Sequence, residues 1–267
     1  MATSASDRSI LKKLREDTGQ EKLDLICPTV IAAMDARYKF TSTRAALSAL
    51  RKEYPGCQHF IDEMSKRMPE FKKLDNTQEP TESQVAKFIP WDKLCEFRDM
   101  YADEMTPVQN LLMALYTYIP PVRLDFTPMR VMRYRPTKLD DGVNYCILTS
   151  HDPVFIFHAF KTAKKMGDRE VEIPPKLRHV IESYVKPGQQ WLLEDASGPW
   201  PEYRLGVAIQ NIFKKFHYMD TSVSTFLHSY LTKYYAGDKS LADINSTAGS
   251  MMHAPMTAMA YRHISLE

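Results

Sequence analysis

The chain has no long apolar run. None of its segments approaches the roughly 20 consecutive apolar residues needed to cross a bilayer, so no membrane partner is expected. The opening stretch, MATSASDRSILKKLREDTGQ, lacks the apolar core of a secretory signal, which points to an intracellular protein. Cysteine is scarce: Cys27, Cys57, Cys95 and Cys146 lie far apart and form no C-x-x-C pair. That argues against a thiolate metal site or a disulfide frame, so the thiols are expected reduced and no metal is expected. Excess charge is also missing. Lys and Arg total 35 and Asp and Glu 33, a net charge of +2, so any nucleic-acid surface must come from clustering of basic residues. No internal repeat is evident, and the final Leu266-Glu267 reads as a possible cloning remnant.

What is present is ordinary globular composition: 267 residues, 44% hydrophobic and 25% charged, enough for one large or two medium domains. Residues 1–74 read as a helical domain. Ile10-Leu11-Leu14, Val30-Ile31-Met34 and Phe60-Ile61-Met64 recur at spacings of three and four, the period of a buried helix face. Thr41-Ser42-Thr43 reads as a helix start before Ala45-Leu47-Leu50. Basic residues group on these segments as Arg51-Lys52, Lys66-Arg67 and Lys72-Lys73. Solvated helix faces and a DNA-backbone contact explain them equally well.

Residues 75–87 begin with the polar DNTQEPTESQ and read as a linker. A second domain, 88–267, follows. Asp92 is the candidate cap of a helix over Lys93 to Met105. Thr106-Pro107 opens an apolar helix to Tyr118, since proline suits the first helical turn. Asn144 to Leu148, Val154 to Phe160 and Glu170 to Ile173 read as short strands of a small antiparallel sheet, with Gly167-Asp168 turning between the last two. Pro174 to Tyr184 and Tyr203 to Phe216 read as helices. The expected fold is therefore mainly α with a small antiparallel β-sheet.

The chemistry-bearing residues concentrate towards the end. Leu227-His228-Ser229-Tyr230-Leu231-Thr232 sets an imidazole among hydroxyls on a segment with helical spacing, and Met251-Met252-His253 is soon followed by Tyr261. A His and a Tyr so placed can meet at a phosphate, or be ordinary core aromatics. Upstream, Arg123 lies in Tyr118-Ile119-Pro120-Pro121-Val122-Arg123-Leu124-Asp125-Phe126, just past an apolar helix. Lys161 lies in Phe160-Lys161-Thr162-Ala163-Lys164-Lys165-Met166-Gly167. Cutting and rejoining DNA through a phenol needs such a set: a nucleophile, cations on the non-bridging oxygens, and an acid for the leaving 5′-oxygen. Arginine suits the phosphate because its planar fork stays charged and donates two parallel hydrogen bonds.

Taken in order, these residues resemble the catalytic domain of the tyrosine recombinases, or phage integrase family. There a segment of the type H-x-L-R-H-S is followed by G-H-S and then by the nucleophilic tyrosine. By this resemblance Tyr261 is the nucleophile and Arg123 the first catalytic arginine, with Asp125 in the place of the acidic residue after it. Lys161 is the hairpin lysine proposed to protonate the leaving hydroxyl, and His253 the second histidine. Lys164 and Lys165 are its neighbours on the DNA. His228 and Ser224 fall on the H-x-L-R-H-S segment as possible supporting groups. Arg51, Lys52, Lys66 and Arg67 are candidate backbone contacts of the first domain.

The resemblance implies a clamp on double-stranded DNA, self-assembly as a dimer or tetramer on it, and a 3′-phosphotyrosyl intermediate. That bond conserves energy, so no cofactor is required. DNA recombination and integration, including that of a mobile or viral element, are the implied processes. Two departures stand against it. The family's second arginine falls on Leu227, or on Leu231 if the register slides, and leucine cannot bind phosphate. Lys214, Lys215 and His217 are the nearest replacements. Few residues follow Tyr261, whereas many members carry a further helix. Leu227 is expected at the edge of the cleft, because His228-Ser229 beside it match the family. A DNA-binding relative that no longer cuts, and a helical scaffold protein with accidental matches, are the two alternatives.

Overall fold

A computed structural model describes residues 4–77, 80, 82–140, 142–218, 221–259 and 261–262. The chain divides into two compact units, Met1–Thr77 and Gln78–Glu267. In the first unit, α1 (Ala5–Thr18), α2 (Cys27–Arg37), α3 (Phe40–Glu53) and α4 (Gln58–Thr77) enclose one core. Ser4 starts α1 through a reciprocal capping box with Asp7. Gly19, with φ of 66°, ends it in the left-handed conformation. Leu11, Leu14, Val30, Met34, Leu47, Leu50 and Phe60 are fully buried, so the three-and-four spacing does mark the inward faces. Helix α3 begins at Phe40, one residue before the expected Thr41 start, and Thr43 turns its hydroxyl onto the Phe40 carbonyl.

The stretch read as a linker carries helix on both sides. Residues 75–77 are the last of α4, and α5 (Glu82–Ala86) follows. Residues 78, 79 and 81 of that stretch lie outside the described residues, as does the Leu266-Glu267 remnant.

The second unit is organised around α7 (Pro107–Thr117), which packs on α6 (Trp91–Met100), α9 (Pro175–Tyr184) and α10 (Glu202–Lys215). Thr106 and Gln109 cap α7 reciprocally with Pro107 in its first turn, as the Thr-Pro signal requires. Helix α6 is shorter than expected and starts at Trp91 behind Pro90. Asp92 is not its cap but lies in its first turn and accepts from Lys233 at 2.8 Å.

The four-stranded sheet runs β1 (Met129–Met132), β2 (Asn144–Ile147), β3 (Val154–Phe157) and β4 (Arg169–Glu172), in that spatial order. It is mixed, not antiparallel: β1, absent from the sequence reading, pairs parallel to β2 with Met129 opposite Asn144. Period-2 patterning reveals strands but not pairing direction. One face carries Cys146, Phe155 and Phe157 into the helical core, and the other carries Tyr145, Ile147, Val154 and Ile156 into a second cluster with Leu139 and Val143.

Strand β3 stops at Phe157, short of the expected Phe160, because the next two backbone N–H groups leave the ladder for Asn144. The β3–β4 connection is not a plain hairpin: it contains a helical turn, α8 (Ala163–Met166), before Gly167 takes φ of 66°. A two-stranded ribbon, β5 (Glu194–Asp195) with β6 (Gly198–Pro199), lies between α9 and α10. Then α11 (Val223–Tyr235), α12 (Leu241–Ser250) and α13 (Pro255–Met259) close the unit.

Candidate functional site

Arg123 and His228 meet the stretch that carries His253 and Tyr261, distant from both in sequence. Arg123 arrives on the loop leaving α7, where the Tyr116 hydroxyl donates to the Arg123 carbonyl and fixes that backbone. Its guanidinium Nη2 donates to the Tyr261 hydroxyl at 3.2 Å. His253 arrives from the end of α12. That helix finishes with Met252 in the left-handed region (φ 56°) and the His253 N–H bonded back to the Ala248 carbonyl at 2.9 Å. This six-to-one closure usually has glycine at the left-handed position. A methionine held there costs of order 1 kcal/mol and aims the next side chain inward. The His253 ring stacks on Tyr261 with planes at 1° and centroids 5.2 Å apart.

His228, on α11, donates from Nδ1 to the Tyr261 carbonyl at 2.7 Å, with its ring 4.9 Å from the tyrosine ring. A carbonyl only accepts, so this bond fixes the proton on Nδ1. The helical turn that delivers Tyr261 is therefore anchored by one imidazole at its backbone and faced by another at its ring.

Burial sets the charge of both histidines. His253 is 3% exposed, neither ring nitrogen has a hydrogen-bond partner among the described residues, and desolvation with the nearby Arg123 charge lowers its pKa to about 4. It is neutral at pH 7 and has one N–H to donate. Desolvation lowers His228 as well, partly offset by its bond to the Tyr261 carbonyl.

Arg123 also lines an open cleft of about 890 Å³, shared with Asp125, His158, Lys161, Lys164, Asp168 and Glu202. Lys161 and Lys164 are exposed on its wall, and Lys165 is exposed on α8. The cleft is not purely basic. Burial pushes the Asp125 carboxyl up to about 6, while Arg123 pulls it down and Glu202 raises it. His158 Nδ1 and Asp168 approach to 2.6 Å. The two halves of the cleft are joined by Asn144, which is 1% exposed. Its amide donates to the carbonyls of Asp125 (2.7 Å) and Ala159 (3.0 Å), and its oxygen accepts from the N–H groups of His158 (2.9 Å) and Ala159 (2.7 Å). Thr162 adds a bond to the Met252 carbonyl at 3.1 Å, tying the lysine loop to the His253 turn. Sequence reasoning passed over Asn144 and Thr162; a lone polar residue opening an otherwise apolar strand was the available signal.

Leu227 is not at a cleft edge. It is 2% exposed and packs with Leu231, Tyr235, Ala248, Met251 and Ala258. Leu231, the other register, is fully buried in the same cluster. Ser224 is exposed, bonded to Ser222 at 2.7 Å, and lines with His228 a small pocket of about 110 Å³ that includes Lys87. Among the replacement cations, Lys215 donates to the Glu104 carbonyl at 2.7 Å and to Gln109 at 3.3 Å, beside the N-terminus of α7. Arg123 follows the opposite end of that 11-residue helix, about 16 Å away along its axis. Ser229 donates to the Ile89 carbonyl at 2.6 Å and serves packing.

In the first unit, Arg67 forks onto Asp35 at 2.6 and 2.8 Å and reaches Glu63 at 2.7 Å. Lys52 pairs with Asp7 at 2.9 Å. Arg51 and the Lys66 side chain point to solvent, the latter 3.8 Å from Glu63.

No family model matches the chain, and no curated protein matches it. Among solved structures it is similar to a crystal structure of XerA recombinase, at 14% identity and a TM-score of 0.47, over 97% of this chain and 86% of that one.

Proposed function

We propose that the second unit binds the phosphodiester backbone of DNA and cleaves it through Tyr261. The observation that carries this is the meeting of Arg123 with His253 and Tyr261, which lie on one stretch far from it in sequence, with the arginine directed at a phenol. A structural arginine normally finds a carboxylate; one aimed at a neutral hydroxyl beside an unpartnered imidazole is poised for an anion. In the reaction the Tyr261 hydroxyl gives its proton to water, its oxygen attacks phosphorus, the P–O5′ bond breaks, and the 3′-phosphate remains on the tyrosine. Charge grows on the non-bridging oxygens, where Arg123 and the neutral His253 N–H donate. Lys161, on the cleft wall, supplies the proton to the leaving 5′-oxygen. One phosphoester replaces another, so neither ATP nor a metal enters the balance. Asp125 and Asn144 hold the loops that carry Arg123 and Lys161.

A nicked suicide DNA substrate tests this, since loss of the short product traps the covalent protein–DNA adduct. Tyr261→Phe should abolish the adduct and leave binding nearly intact; Arg123→Ala should slow it about 10²- to 10³-fold. An adduct that survives Tyr261→Phe names another nucleophile and ends the proposal. A second reading, a DNA-binding relative that does not cut, is favoured by Leu227 and Leu231: both registers of the second arginine are filled by buried leucines. It predicts salt-dependent duplex binding with a log–log slope of about −0.9 per phosphate and no adduct with any substrate.

A further inference from the structure

Two thiols of the first unit face each other. Cys27 is the first residue of α2, and Cys57 directly precedes α4. Their sulfurs lie 3.2 Å apart, against about 2.05 Å in a disulfide. Cys27 is 7% exposed and its sulfur lies 3.1 Å from the Asp24 carbonyl. A carbonyl accepts only, so the Cys27 proton points there and its sulfur lone pair is left to receive the Cys57 S–H. Cys57 is half-buried and reachable from solvent. The other two cysteines belong to the second unit: Cys95 on α6, and Cys146 buried in β2.

A metal site does not account for the pair. Structural zinc takes four ligands, and among the described residues no group of three or more His, Cys, Asp or Glu side chains could hold an ion.

We propose that Cys27 and Cys57 are a disulfide-forming site, open in reducing conditions and closed by a peroxide, with Cys57 as the residue that meets the oxidant. The Cys57 thiolate attacks one peroxide oxygen, the O–O bond breaks, and a sulfenic acid and hydroxide result. Cys27 gives its proton to hydroxide, and its sulfur attacks the Cys57 sulfur and expels a second hydroxide, which takes up the Cys57 proton released at the start. Two thiols and one hydrogen peroxide become one disulfide and two waters; each sulfur gives one electron and the peroxide takes two. Burial pushes the Cys27 thiol up to about 11, with the Cys57 sulfur adding to it, which makes it a poor first nucleophile and suits it to the second step. The bond ties the start of α2 to the turn before α4 and encloses α2 and α3. By the chain-entropy argument, closing a loop of that size lowers the opening equilibrium of the unit by between about two and three orders of magnitude.

The test uses the full chain, reduced and then exposed to a small molar excess of hydrogen peroxide. Peptide mass spectrometry without reductant should show a Cys27–Cys57 cross-link lighter by two hydrogens, with Cys95 and Cys146 still thiols. Amide hydrogen exchange in α2 and α3 should slow by about a few hundred-fold and recover with reductant. Cys57→Ser should give no cross-link and no slowing. Cys27→Ala should leave Cys57 as a stable sulfenic acid that a dimedone probe captures, which also covers a Cys57 variant that folds poorly. A cross-link to Cys95 or Cys146, one between chains, or Cys57 passing to sulfinic acid without joining Cys27 would overturn the site. A cross-link with unchanged exchange would overturn the stabilising role.

Discussion

One cation of the second unit is held unlike the arginines of the first. In the first, arginines face acids: Arg67 forks onto Asp35, Arg15 reaches Glu53 at 3.0 Å, and Arg37 pairs with Asp17. In the second, Arg98, Arg130, Arg178 and Arg204 also meet acids, but Arg123 donates to a phenol and lies close enough to His253 to lower its pKa. A guanidinium bound to a carboxylate is neutralised and serves the fold. A guanidinium whose hydrogen bond goes to a phenol keeps donors for a ligand. The difference teaches that basic residues counted along a sequence are a poor guide to anion binding until their partners are known.

The comparison can be broken most severely at the buried leucine. Leu227→Arg, which the family pattern invites as a repair, should not restore a phosphate donor. It would place an unpaired charge among Leu231, Met251 and Ala258, at a cost of about 3–5 kcal/mol. A melting temperature lower by about 10 °C is expected. A variant as stable as the parent, with faster adduct formation, would return Leu227 to the cleft.

A smaller effect tests the neutral imidazole. His253 has its pKa lowered to about 4 in the fold, against 6.5 when unfolded. Above pH 6.5 both states are neutral and nothing is lost. As pH falls from 6.5 towards 4 the unfolded chain takes a proton that the folded chain refuses, and stability declines by up to about 3 kcal/mol. Asp125 has the opposite sign. Its carboxyl, raised to about 6 from 3.8, contributes stability below 3.8 that is lost as pH rises through 6. Chemical denaturation from pH 4 to 7 should therefore show partly cancelling slopes in the parent, and His253→Phe should tilt the profile towards a decline with rising pH, with His228 still opposing it. A His253→Phe profile that matches the parent would show that His253 titrates normally.

The smallest effects separate paired from unpaired cations in the first unit. Arg67→Ala should cost about 1 kcal/mol, since its fork is lost, and should leave the salt dependence of DNA binding unchanged. Arg51→Ala should leave stability within about 0.5 kcal/mol and, if this face meets DNA, should flatten the log–log salt slope by about 0.9. The reverse pattern would mean that the pairing of Arg67 opens on DNA.

Local rules carried the sequence reading far. The inward residues of α1 to α4 followed the helical period, Thr106-Pro107 marked the start of α7 to the residue, and the apolar runs at β2, β3 and β4 fell within a few residues of their ends. Each depends on neighbours three or four positions away, or on alternation by two, so one segment contains its own evidence. Asn144 shows where that stops. Its four bonds reach Asp125, His158 and Ala159, and nothing in its local sequence says that an amide there joins two loops and ends a strand early.

By itself, then, the sequence determined most of the long helices, their inward faces, three of the six described strands and the residue types fit for phosphate chemistry. Only the tertiary structure decided that β1 runs parallel to β2, that Lys215 and Arg123 belong to opposite ends of α7, and that Leu227 is core. It alone brought Arg123, His228 and His253 around Tyr261. The physical reason is one of range. Hydrophobic period and capping act within a turn or two of chain, whereas burial, pairing direction and the charge state of an imidazole are set by what the rest of the molecule packs against them.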